Sequence, residues 1–114
     1  MSVSKEYIEY IEDLLCDFPE LTTKSFFGGK SLRSSLHGLD TQFAMMLNDT
    51  LYFVVDDETR PKYQSRGMKS FQYEKKTGTV FVEKYYTAPE ECFEDQELML
   101  EWAHEALATA NRIK

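Results

Sequence analysis

Two short apolar runs in the middle of the chain constrain its fold more than any other feature. Residues 42–47 (QFAMML) and 51–55 (LYFVV) are almost continuously apolar and are separated by Asn48, Asp49 and Thr50. Each is too short for a globular helix and is bounded by turn residues, so the pair reads as two adjacent strands. Apolar groups on both sides of a strand imply that both faces are at least partly covered, which puts these two at the centre of a sheet.

The ends of the chain follow a different period. Tyr7, Ile8, Ile11, Leu14, Leu15 and Phe18 recur at helical spacing, with Glu6, Glu9, Glu12 and Asp13 opposite them; Ser2 or Ser4 can cap this helix and Pro19 stops it. Near the other end, Asp95 caps a helix whose apolar stripe runs through Met99, Trp102, Ala103, Ala106, Leu107, Ala110 and Ile113. Between the ends, residues 22–27 read as a strand that Gly28 and Gly29 bulge or bend, and residues 31–36 resume it with Leu32 and Leu36 on one side. Asp56 and Asp57 open a short helix near residues 58–65, with Pro61 in its first turn and Gly67 as a left-handed stop. Residues 71–75 and 79–86 form a hairpin around Lys76, Thr77 and Gly78, and its Phe71, Tyr73 and Phe81 suit a face that a helix covers. The order helix, three strands, helix, two strands, helix predicts an α+β fold in two layers, with a mainly antiparallel five-stranded sheet.

Composition sets outer limits. The 114 residues fit a single domain spanning residues 1–114. No apolar run approaches the roughly 20 residues of a bilayer span and the first residues lack an apolar signal core, so a soluble, cytoplasmic protein is expected. The two cysteines, Cys16 and Cys92, lie far apart and suggest neither zinc nor a redox pair. A net charge of −7 opposes general adhesion to nucleic acid or anionic membrane. That charge is unevenly spread: residues 1–57 carry 4 bases and 10 acids, residues 58–84 carry 7 and 3, and residues 85–114 carry 2 and 7. The basic middle holds Arg60, Lys62, Arg66 and Lys69, and an acid-free stretch upstream holds Lys24, Lys30 and Arg33. These seven are the candidate partner-contact residues.

No catalytic constellation stands out. Ser34 and Ser35 near His37 lack an elbow motif, and His104, three residues after Glu101 on a helix, reads as a surface pair. The acid pairs Asp56–Asp57 and Glu90–Glu91 sit where helix starts favour acids anyway. Gly29-Lys30-Ser31 mimics only the tail of a phosphate loop. No cofactor or metal is expected, and the reading is of a non-enzymatic domain that works by binding.

The chain as a whole resembles the N-terminal domain of the TfoX/Sxy family of bacterial competence regulators. The resembling segments are Phe26-Phe27-Gly28-Gly29, Phe43-Ala44-Met45-Met46, Leu51-Tyr52-Phe53, the stretch from Asp56 to Gly67, Phe71-Gln72-Tyr73, Tyr85-Tyr86, Pro89 and Glu101-Trp102-Ala103. The resemblance implies a secretion-chaperone-like α+β fold and a part in controlling genes for DNA transformation. It implies action through protein contacts with transcription machinery such as the cyclic-AMP receptor protein. Resembling proteins carry a second, C-terminal domain, and this chain is expected to stand without it. Carried over, Phe27, Gly28, Gly29, Asp56, Gly67 and Trp102 are structural motif positions. Direct DNA binding is not expected, because the two longest helices are acidic. The alternative is a chaperone-like or small-molecule-binding domain that uses its sheet face or a homodimer interface; a deep apolar pocket would favour it.

Overall fold

A computed structural model describes residues 4–26 and 28–113. Helix α1 (Lys5–Leu14) starts where the Ser4 hydroxyl accepts a hydrogen bond from the Tyr7 N–H at 3.2 Å. After its last turn the chain drops Leu15 and Phe18 into the core. Six strands follow in one antiparallel sheet: β1 (Leu21–Phe26), β2 (Gly29–Ser34), β3 (Thr41–Leu47), β4 (Thr50–Val54), β5 (Ser70–Lys75) and β6 (Gly78–Thr87). Helix α2 (Arg60–Ser65) lies between β4 and β5, and a 3₁₀ turn (Glu90–Phe93) leads into helix α3 (Gln96–Arg112). The strand order is β1-β2-β3-β4-β6-β5, so β3 and β4 are central.

The architecture is α+β, with six strands rather than the five expected. The sixth comes from the glycine pair. Phe26 pairs with Gly29, so β1 and β2 are separate antiparallel strands joined by a tight turn, and Gly28 takes a φ of 83° there. Phe27 lies outside the described residues. β2 also ends at Ser34, which leaves Leu36 in the following turn and exposed rather than beside Leu32.

Asp56 organises the approach to α2. Its carboxylate accepts from the N–H groups of Glu58 and Thr59 and from Arg112 at 2.8 Å. Burial opposes its charge, but these hydrogen bonds hold its carboxyl below the usual aspartate value. Pro61 fits in the first turn, where no donor is required of it. The helix ends in a Schellman motif: Met68 N–H donates to the Tyr63 carbonyl, Gly67 N–H to that of Gln64, and Gly67 has a φ of 76°.

One sheet face is covered by α1 and α3, whose Ile11, Met99, Ala103 and Leu107, with Leu15 just past α1, are wholly buried against Leu32, Phe43, Met46, Leu51 and Phe53. Trp102 belongs to this layer, 5% exposed, with its ring edge-on to Tyr63 at 4.8 Å. Ile113, expected in the apolar stripe of α3, lies past its end and is exposed. The opposite face carries no helix, and a second cluster of buried residues, Met45, Leu47 and Phe71, forms there.

Candidate functional site

The seven cations singled out in sequence do not form one face. Lys24 and Arg33 lie at the β1–β2 end of the sheet, where Asp40 bonds Arg33 at 2.7 Å and approaches Lys24 at 3.9 Å. Lys30 pairs with Met46, which puts it on the helix side of the sheet. Arg60 donates to the Glu83 carbonyl at 3.1 Å and to Asp57 at 2.7 Å. On the same helix, Lys62 bonds Glu105 at 2.6 Å and Arg66 bonds Glu91 at 3.0 Å, while both lie over the Trp102 ring. The basic run on α2 therefore fastens that helix to α3, β6 and the 3₁₀ turn. Lys69 is exposed just beyond α2, on a segment whose backbone exchanges hydrogen bonds with Thr87.

The uncovered sheet face is the most distinctive surface. It is built by a register change in the central strand: Leu32 pairs with Ala44 but Arg33 pairs with Gln42, so Phe43 is an extra residue. The bulge lets Phe43 as well as Ala44 and Met46 face the helices, and it turns Gln42, Met45 and Leu47 to the open side. There β1 contributes Phe26, β3 Met45 and Leu47, β5 Phe71 and Tyr73, and β6 Val82 and Tyr85. They enclose a half-open hollow of about 710 Å³. Met45 and Leu47 are 2% and 1% exposed, and Tyr52 stands edge-on to Phe71 at 5.3 Å.

A chain of polar side chains reaches the wall of this hollow. Arg33 Nη1 donates to Gln42 Oε1 at 3.3 Å, and Gln42 Nε2 donates to the Tyr85 hydroxyl at 3.0 Å. Burial raises the Tyr85 phenol above its ordinary value, although Gln42 and Arg33 work the other way. Lys75 and Lys84 lie over the rings of Tyr73 and Tyr85, at 5.9 and 5.8 Å from the ring centres.

The hairpin thus differs from its sequence reading. Phe71 pairs with Val82 and Tyr73 with Val80, which turns these residues to the open face, and no helix covers them. Phe81 pairs with Gln72 on the other side, where it is 62% exposed. The residues at this face that sequence reasoning did not single out are Gln42, Leu47 and Val82. A signal was present: two long helices can cover only one face of a sheet, yet residues 42–47 are apolar on both.

The remaining candidates are occupied otherwise. The Ser34 hydroxyl donates to the Pro19 carbonyl and accepts from Leu36 N–H. His104 packs beside Phe18, with ring centres 4.5 Å apart, rather than pairing with Glu101. Burial pushes the Cys92 thiol up to about 12, with neighbouring Glu91 adding to it, so the group is a thiol at ordinary pH. Among the described residues there is no group of three or more His, Cys, Asp or Glu that could hold a metal. No helix of the described residues is long and apolar enough to cross a membrane.

Fold and site together define a two-layer α+β domain that keeps one sheet face open and lines it with aromatic and aliphatic side chains. The family model for the TfoX N-terminal domain matches residues 13–110, nearly the whole chain, and the protein belongs to that family. No curated protein matches its sequence.

Proposed function

We propose that this domain is a non-enzymatic regulatory module that helps control competence genes through contacts with a transcription activator such as the cyclic-AMP receptor protein. Membership of the TfoX N-terminal family is the observation that carries this reading. The α2 side, with Lys62, Arg66 and Lys69, is the proposed contact surface. Its ion pairs are partly exposed and individually weak, of the order of 0–1 kcal/mol, so an acidic partner can exchange with Glu91 and Glu105 at little cost. Arg60 is set apart from this role because it anchors the Glu83 carbonyl. The test is retention of the purified receptor protein by the tagged chain. Arg66→Ala with Lys69→Ala is expected to reduce retention several-fold and to move the melting temperature by less than about 4 °C. Retention that is unchanged in this variant would sink the assignment.

A second reading is favoured by the hollow on the open face: a ligand-binding domain. Its volume of about 710 Å³ and its mostly apolar lining with few polar groups match small-molecule sites. The two readings are compatible, since a regulator that binds a ligand on one surface can present another to its partner.

A further inference from the structure

We propose that the hollow is a site for a small anionic amphiphile, whose apolar body lies over Met45 and Leu47 and whose head accepts a hydrogen bond from the Tyr85 hydroxyl. This inference rests on the ligand-binding reading and adds the chemical class of the ligand. Arg33 has only donors, so its bond to Gln42 Oε1 fixes which way that amide points. The Gln42 NH₂ must then face Tyr85, whose oxygen accepts from it. The phenol's own proton is left over, and no acceptor among the described residues takes it. Since Tyr85 lines the hollow, an acceptor carried by a ligand completes the chain.

Charge selects the head. Lys24 and Arg33 lie at the far end of this polar chain, and Lys75 and Lys84 lie over the rings of Tyr73 and Tyr85. Asp40 is bonded to the first two, Lys84 also borders a second pocket that Asp56, Asp57 and Glu83 line, and Glu74 alternates with Tyr73 to the other face of its strand. An O–H donor to an anion is stronger than one to a neutral acceptor, and Lys75 beside the Tyr73 wall of the hollow favours the anion again. Size selects the body: about 710 Å³, half open, suits a chain of roughly eight to twelve carbons.

The methionines supply the readout, because Met45 lies in the hollow whereas Met46 and Met99 are in the helix-side core. The whole chain, labelled with methyl-¹³C methionine, is titrated with decanoate below its micelle threshold and, in parallel, with decyltrimethylammonium. The Met45 methyl signal is expected to move with decanoate while those of Met46 and Met99 stay. Affinity for decanoate should exceed that for the cation about tenfold, and Tyr85→Phe should lower it about tenfold. Val82→Trp, which fills the hollow, should abolish binding with the circular dichroism unchanged. Equal binding of both amphiphiles, unaffected by Tyr85→Phe, would overturn the proposal while leaving the ligand-binding reading in place. A Met45 signal that responds to neither amphiphile overturns both, as does one that moves only with protein concentration, which would assign the face to contact between copies.

Discussion

At Gly29 two strands approach more closely than a side chain permits. A Cβ built there would overlap the Met46 carbonyl oxygen and lie 2.6 Å from Leu47 Cδ2. Gly29→Ala is therefore expected to destabilise the domain by about 1–3 kcal/mol, as overpacking does, and urea unfolding would measure it. A midpoint equal to that of the unsubstituted chain would contradict the contact. The glycine pair was legible in the sequence as a break in a strand. What it does was not, because the reason for Gly29 lies in Met46 and Leu47, on a strand more than ten residues away. Phe43 makes the same point: nothing local marks it as an extra residue, and only pairing with Leu32 and Arg33 decides which of its neighbours face the helices.

The elements show where local chemistry suffices. Both long helices start where a side-chain cap is written into the sequence, Ser4 for α1 and Asp95 for α3, and α2 ends at Gly67 for the conformational reason its position announces. Asp95 accepts from the N–H groups of Glu97 and Leu98 at 3.0 and 3.3 Å. Asp95→Ala should cost about 1 kcal/mol and lower the melting temperature by roughly 4 °C in a domain of this size. Loss of the same amount in Asp95→Asn would show that the cap does not act by accepting these bonds. The β5–β6 hairpin is the counterexample. Its alternation, with Phe71, Tyr73, Val80 and Val82 on one side and Gln72, Glu74 and Phe81 on the other, gives its two faces, but not which of them a helix covers. A strand pattern is symmetric in that respect, and the aromatic side that reads as core is here the open one.

At the scale of the molecule, buried ionisable groups set the response to alkali. Burial pushes the Cys92 thiol and the Tyr7 phenol each up to about 12, and it raises the Tyr63 phenol as well, with Glu105 adding to the effect. The unfolded chain loses these protons at their ordinary values, near 9 for the thiol and 10 for the phenols. From about pH 9 upward the unfolded state therefore releases protons that the folded state keeps, and stability falls as pH rises. The urea midpoint should be level from pH 6 to about 8 and decline through pH 9–11, with a shallower decline above pH 10 in Tyr63→Phe. A midpoint level to pH 11 would show that these groups are not held as described.

The same scale separates what the chain dictates alone from what folding adds. Periodicity, caps and turn residues are local, and they were enough to determine the helices, the central strands, the α+β class and the uneven charge. Tertiary structure decided the sixth strand, the side of the sheet that stays open and the fate of the basic segment. Lys62 and Arg66 meet their acids, and Arg60 the Glu83 carbonyl, only because α3, the 3₁₀ turn and β6 arrive from elsewhere in the chain. The hollow exists for a related reason: two helices cover one face of a six-stranded sheet, and the bulge at Phe43 commits Met45 and Leu47 to the other. Pairing and coverage are relations between distant residues, so they are settled when the elements pack and not before.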